Sequence, residues 1–169
     1  KHIIEHDALT GLPNRIYFEK LLGQNRSRGA ANSAVVLVEL NHLNALTLSY
    51  GYAFNEQIVM EAASRLKSLV TEGRQVFQVS PERMAFYMPG CAMEEPFLLC
   101  NEIAAVLSPV PMIHAAGCGL GVLNFTGPDK DGDEILKNAS IAAACGGMKG
   151  TFGVCVFDGE MEAKAERER

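Results

Sequence analysis

Gln78-Val79-Ser80-Pro81-Glu82-Arg83-Met84-Ala85-Phe86-Tyr87-Met88-Pro89 is two short apolar runs joined by a tight turn, with the carboxylate of Glu82 at the crest. The pattern predicts an antiparallel hairpin with arms over Gln75 to Val79 and Arg83 to Met88. A hairpin alone decides little. Its neighbours decide the fold class.

Upstream, Ala34 to Leu40 (AVVLVEL) is a nearly continuous, valine-rich apolar run, which suits a strand buried on both faces and delivers Glu39 at its end. A short helix is predicted over Asn41 to Ser49, capped by Asn41 and ended by Tyr50-Gly51-Tyr52. From Ala53 to about Thr71, Ile58, Val59, Ala62, Ala63, Leu66, Leu69 and Val70 recur at helical spacing. Further upstream, Asp7 to Arg15 is turn-rich and leads into a helix carrying Ile16, Tyr17, Phe18, Leu21 and Leu22.

Downstream, Glu94 to Leu107 is helical in pattern and closes at Pro109 and Pro111. Met112 to Leu123 is small, apolar and glycine-punctuated, and is predicted to be a central strand. Gly127 to Gly132 reads as a loop and Asp133 to Ala144 as a long helix. Gly146, Gly147 and Gly150 mark a turn before a last strand, Gly153 to Phe157. A hairpin flanked by helix-connected strands predicts an α+β sheet of the split-βαβ kind.

The chain has 169 residues, 48% hydrophobic and 21% charged, with a formal net charge of -5. That is one domain with ample core. No basic run is present to neutralise phosphates, so duplex nucleic acid is not an expected partner. No apolar run approaches the ~20 residues needed to cross a bilayer. The five cysteines, Cys91, Cys100, Cys118, Cys145 and Cys155, lack C-x-x-C spacing and read as small core residues in a reducing compartment. The four histidines show no metal-ligand spacing. The domain is expected over residues 1–158, with 159–169 a charged helical connector toward a further domain.

Asp7-Ala8-Leu9-Thr10-Gly11-Leu12-Pro13-Asn14-Arg15 resembles the D-x-L-T-G-L-P-N-R opening of the GGDEF (diguanylate cyclase) domain family, and the spacing of the rest follows it over nearly the whole chain. The resemblance implies a nucleotidyl-cyclase-like, ferredoxin-like fold with a central, mostly antiparallel five-stranded sheet. It also assigns positions. The first acidic metal ligand of the family falls on Glu39, and a family lysine nearby has become Asn44. The guanine-reading asparagine falls on Thr47, whose single hydroxyl cannot donate and accept across a base edge as an amide does. The partner aspartate falls on Glu56.

The G-G-D/E-E-F signature aligns with Ser80-Pro81-Glu82-Arg83-Met84. Ser80 adds a side chain where the family has none, and Pro81 removes a backbone N–H. Glu82 keeps the metal-binding carboxylate, while Arg83 reverses the next charge. Arg83 is expected to pair with Glu82 or Glu39 in competition with a metal, or else to contact a phosphate. The two phosphate cations of the family align with Gly147 and Thr151, leaving Lys149 as a near neighbour. The product-inhibition motif R-x-x-D aligns with Thr71-Glu72-Gly73-Arg74.

Because phosphoryl transfer rests on positioning and charge neutralisation, these losses together predict a domain without catalysis. The expected role is a regulatory and dimerising module of a bacterial cyclic di-GMP signalling protein. The alternatives are a GTP-binding sensor that uses Thr47, Glu56 and Lys149, with Mg2+ held by Glu39 and Glu82, and, further off, an active diguanylate cyclase. The resemblance implies a cytoplasmic domain, compatible with membrane attachment of the full-length protein. Its implied partners are a sensory region before it, a phosphodiesterase (EAL) domain after it, and a second copy of itself.

Overall fold

The structure, a computed structural model, describes residues 4–25, 32–126 and 131–158. The connector expected over 159–169 and most of the loop expected between Gly127 and Gly132 lie outside the described residues.

In chain order the elements are α1 (Arg15–Asn25), β1 (Ser33–Leu40), α2 (Leu43–Tyr50), α3 (Tyr52–Lys67), β2 (Gln75–Ser80), β3 (Arg83–Met88), α4 (Glu95–Leu107), α5 (Pro111–Ala116), β4 (Cys118–Phe125), α6 (Gly132–Lys149) and β5 (Gly153–Val156). The five strands form one sheet in the order β2-β3-β1-β4-β5. Every pairing is antiparallel except β4 with β5. The valine-rich run is the central strand, and its alternation divides the core in two. Ala34, Val36 and Val38 face a layer from α3 and α4, including Ala62, Leu66, Leu99 and Ile103. Val35 and Leu37 face Phe18 of α1 and Ile135 and Ala139 of α6. This is the α+β, mostly antiparallel sheet that the sequence predicts.

Four local expectations are corrected. Met112 to Ala116 is helical, not strand: Pro111, with its φ already set for a helix, opens α5, and Gly117 at φ 96° turns the chain into β4. The residue before α2 is His42, at φ 60° and without a side-chain cap, rather than Asn41. Asn41 instead donates its backbone N–H to the Gly117 carbonyl. α3 stops at Lys67; Ser68, Leu69 and Val70 then bond back three residues in a tightened turn.

Finally, α6 continues through Gly146 and Gly147. These are not turn residues. A Cβ on Gly146 would stand 2.4 Å from the Gly153 carbonyl oxygen, so the glycine lets the helix lie against β5.

The hairpin is closed by Pro81 and Glu82 between the register partners Ser80 and Arg83. Neither turn residue takes a positive φ. A register shift between Gln78 and Ser80 leaves Val79 as an irregularity in β2, which is how a non-glycine turn fits the twist of the arms. Gln78 anchors this bend: its backbone N–H bonds the Pro13 carbonyl at 2.8 Å, and its amide donates to Ser80 O at 2.8 Å.

Candidate functional site

The end of β1, the hairpin crest and the start of α2 meet at one end of the central strands. The Leu40 N–H bonds the Glu82 carbonyl at 2.8 Å, which fixes the crest beside the strand end. Glu39 and Arg83 are opposite one another in the antiparallel register of β1 and β3. Opposite charges in that relation attract across the strand pair.

The guanidinium of Arg83 takes both carboxylates. One terminal nitrogen lies 2.8 Å from Glu39 Oε2 and the other 2.6 Å from Glu82 Oε1. Ser80 Oγ adds a bond to the same Glu82 oxygen at 3.2 Å. Two alternatives raised by the sequence, pairing with Glu39 or with Glu82, are thus met by one side chain. Glu39 is the more enclosed acid, its side chain 14% exposed against 35% for Glu82. Burial pushes the Glu39 carboxyl above its usual range, the facing Arg83 pulls it back in part, and Glu82 adds a smaller upward push.

This arrangement does not fit the divalent cation that the family resemblance implies. Magnesium demands near-octahedral oxygen coordination at ~2.1 Å. Here each acid already spends an oxygen on a guanidinium between them. Among the described residues, no group of three or more His, Cys, Asp or Glu side chains could hold a metal ion. The seat carries a covalently attached cation instead.

The expected base pocket is also occupied from within. Thr47 Oγ1 donates to the Leu43 carbonyl at 3.0 Å and accepts from the Asn55 amide, which also donates to Leu43 O at 3.3 Å. Thr47 is therefore engaged by its own helix and by α3. Glu56, one residue further along α3, is exposed. Asn55 was not singled out by sequence reasoning, although an amide one helical turn after Gly51 is positioned to tie α3 to α2.

Lys149 stands exposed in the last turn of α6. Thr151 is exposed, and its hydroxyl reaches the His114 carbonyl at 3.5 Å. Arg74 turns inward, bonding the Leu69 carbonyl at 2.7 Å and Glu102 of α4 at 3.2 Å. A cleft of about 320 Å³ remains beside the ion pair, lined by Glu39, Leu40, Asn41, His42, Asn44 and Glu82 among others.

The sequence profile of the diguanylate cyclase GGDEF domain matches residues 4–151. The chain is 25% identical over 172 residues to the probable diguanylate cyclase DgcE of Escherichia coli K12, covering 97% of this chain and 16% of that protein. It is 28% identical over 144 residues to the cyclic di-GMP phosphodiesterase PA2567 of Pseudomonas aeruginosa, covering 82% of this chain and 24% of that protein. It thus spans a quarter or less of these two relatives.

Among solved structures, the S helix-GGDEF-EAL segment of Vibrio cholerae LapD bound to c-di-GMP superposes with a TM-score of 0.75 at 19% identity. That match covers 97% of this chain and 41% of that one, and is a likeness of fold. The profile match takes in the opening motif, all of β1 to β4 and the hairpin, and on it the chain belongs to the GGDEF domain family.

Proposed function

We propose that this is a non-catalytic GGDEF domain, a regulatory and dimerising module within a larger cyclic di-GMP signalling protein. The observation that carries the reading is the Arg83 bridge between Glu39 and Glu82, at 2.8 Å and 2.6 Å. A cyclase of this family needs those carboxylates for metal and the hairpin crest for close approach to the nucleotide. Here the carboxylates are neutralised internally, and the crest carries Ser80 and Pro81.

Phosphoryl transfer has little to work with once charge neutralisation and positioning are lost. Two losses of ~3 kcal/mol each already remove about four orders of magnitude of rate. The occupied Thr47 hydroxyl and the inward Arg74 support the same reading. Incubation of the purified domain with GTP and Mg2+ followed by chromatography is expected to yield no cyclic di-GMP; a product peak overturns the proposal.

One observation favours a second reading, a nucleotide sensor. The cleft of about 320 Å³ beside Glu39 and Glu82 reaches the lower end of ligand-pocket sizes. A nucleotide there would influence a neighbouring domain only through unequal affinity for two states. The relatives support a multidomain setting, since the LapD structure joins a GGDEF to an EAL domain. A phosphodiesterase domain beside this one is proposed on that basis. Calorimetric titration with GTP and Mg2+ separates the readings: heat saturating below millimolar ligand favours the sensor, and a flat titration removes it.

A further inference from the structure

α6 lies close enough to β4 and β5 for side chains on the two layers to touch through very little space. A Cβ on Gly121 of β4 would stand 2.4 Å from the Ala139 carbonyl oxygen, and the corresponding distance from Gly146 to the Gly153 oxygen is also 2.4 Å. Gly121 and Cys155 are register partners across the parallel β4–β5 pair. Cys155 therefore lies beneath α6, and it is buried. Its Sγ is 2.7 Å from Sγ of Cys145, which is half-buried on the helix above. A disulfide bond is ~2.05 Å long, so closing the pair asks for a movement of about 0.7 Å.

We propose that Cys145 and Cys155 form a reversible intramolecular disulfide by exchange with low-molecular-weight disulfides of the glutathione class. Cys145 is the attacking thiol because it is the one with access to solvent. Its thiolate attacks one sulfur of the small disulfide, forming a mixed disulfide at Cys145 and expelling one small thiolate. The Cys155 thiolate then attacks the Cys145 sulfur and expels the second. One small disulfide is reduced to two thiols and two protein thiols are oxidised, the two protons they give up being taken by the two expelled thiolates.

The remaining cysteines, Cys91, Cys100 and Cys118, are buried. Burial pushes the thiols of Cys100 and Cys118 up to about 12, so they stay protonated and unreactive. The disulfide would close the segment holding Gly147, Lys149 and Thr151 and clamp the end of α6 to the edge strand β5. A pair with one half-buried, solvent-reachable sulfur fits the transient, sensing use of disulfides better than a permanent staple.

The test incubates the purified chain in buffers of stepped oxidised-to-reduced glutathione ratio, then alkylates in denaturant and reads mass and peptides. At oxidising ratios two of the five cysteines should escape alkylation, the intact mass should fall by two hydrogens, and a Cys145–Cys155 cross-linked peptide should appear. Dithiothreitol should restore all of these. Cys145→Ser should abolish the protection, whereas Cys91→Ser should leave it intact. Cys155→Ser, which leaves the more accessible sulfur in place, should stop at a glutathione adduct on Cys145. The proposal is overturned if the unsubstituted chain alkylates fully at every ratio, stops at a glutathione adduct, or cross-links through a different pair.

Discussion

Glu39 and Arg83 face each other across β1 and β3, and their side chains close to 2.8 Å, so the retained acid of the first strand is bound by a residue of the hairpin itself. The register makes the pairing, and the register follows from the alternation of β1. Because Val36 and Val38 must face α3 and α4 while Leu37 faces α6, the strand cannot slip by one residue without exposing its core face. The ion pair is therefore held by the hydrophobic core.

Removing the cation should cost stability. Arg83→Met leaves Glu39 and Glu82 close together without a neutralising partner, and Glu39 already feels Glu82 as a like charge. Because the arginine side chain is one-third exposed, the cost is expected at about 1–2 kcal/mol rather than the larger values of fully buried pairs. Urea denaturation at neutral pH checks this. A loss that disappears on adding Glu82→Gln would locate the penalty in the carboxylate pair.

The pH dependence of Glu39 has a definite sign. Its folded-state affinity for a proton is raised above that of the unfolded chain, whose reference value is 4.5. Its contribution to stability is full below that value and falls as pH rises through the folded one. Glu39→Gln removes this dependence. The stability of the wild type relative to Glu39→Gln should therefore decline as pH climbs above 4.5, measured by chemical denaturation across the weakly acidic range. A relative stability that grows with pH contradicts the burial-dominated account.

Two adjacent glycines of α6 should respond oppositely to alanine. At Gly146 a Cβ meets the Gly153 and Leu120 carbonyl oxygens at 2.4 and 2.7 Å, and backbone cannot step aside. Gly146→Ala is expected to destabilise by about 1–3 kcal/mol or more. At Gly147 the neighbour is the Asn41 side chain at 3.1 Å, which can rotate. Gly147→Ala should be neutral or stabilising by up to ~1 kcal/mol through helix propensity. Thermal unfolding of both variants decides it.

The elements with strong periodicity were legible in the sequence: the valine run of β1, the helical face of α3 and both hairpin arms. What was not legible depended on contacts between distant segments. Met112 to Ala116 reads as one apolar run with β4, although its Met and Ala residues favour helix and Pro111 marks a helix start. Gly146 and Gly147 read as a turn because nothing local shows that β5 presses against the helix there. The Asn55–Thr47 contact requires knowing how α2 and α3 fold back at Gly51, and the meeting of Cys145 with Cys155 requires the parallel register of β4 and β5. For Arg83 the sequence left three partners open; the strand register sets Glu39 opposite it, and the turn brings its chain neighbour Glu82 to the same guanidinium.

The claim that a guanidinium holds the metal seat is tested most directly by titrating Mn2+ into the protein and into Arg83→Ala while following free metal by electron paramagnetic resonance. The account predicts no bound Mn2+ for the wild type up to millimolar concentration, with weak binding appearing in the variant. Stoichiometric binding by the wild type that is lost in Glu82→Gln would contradict it.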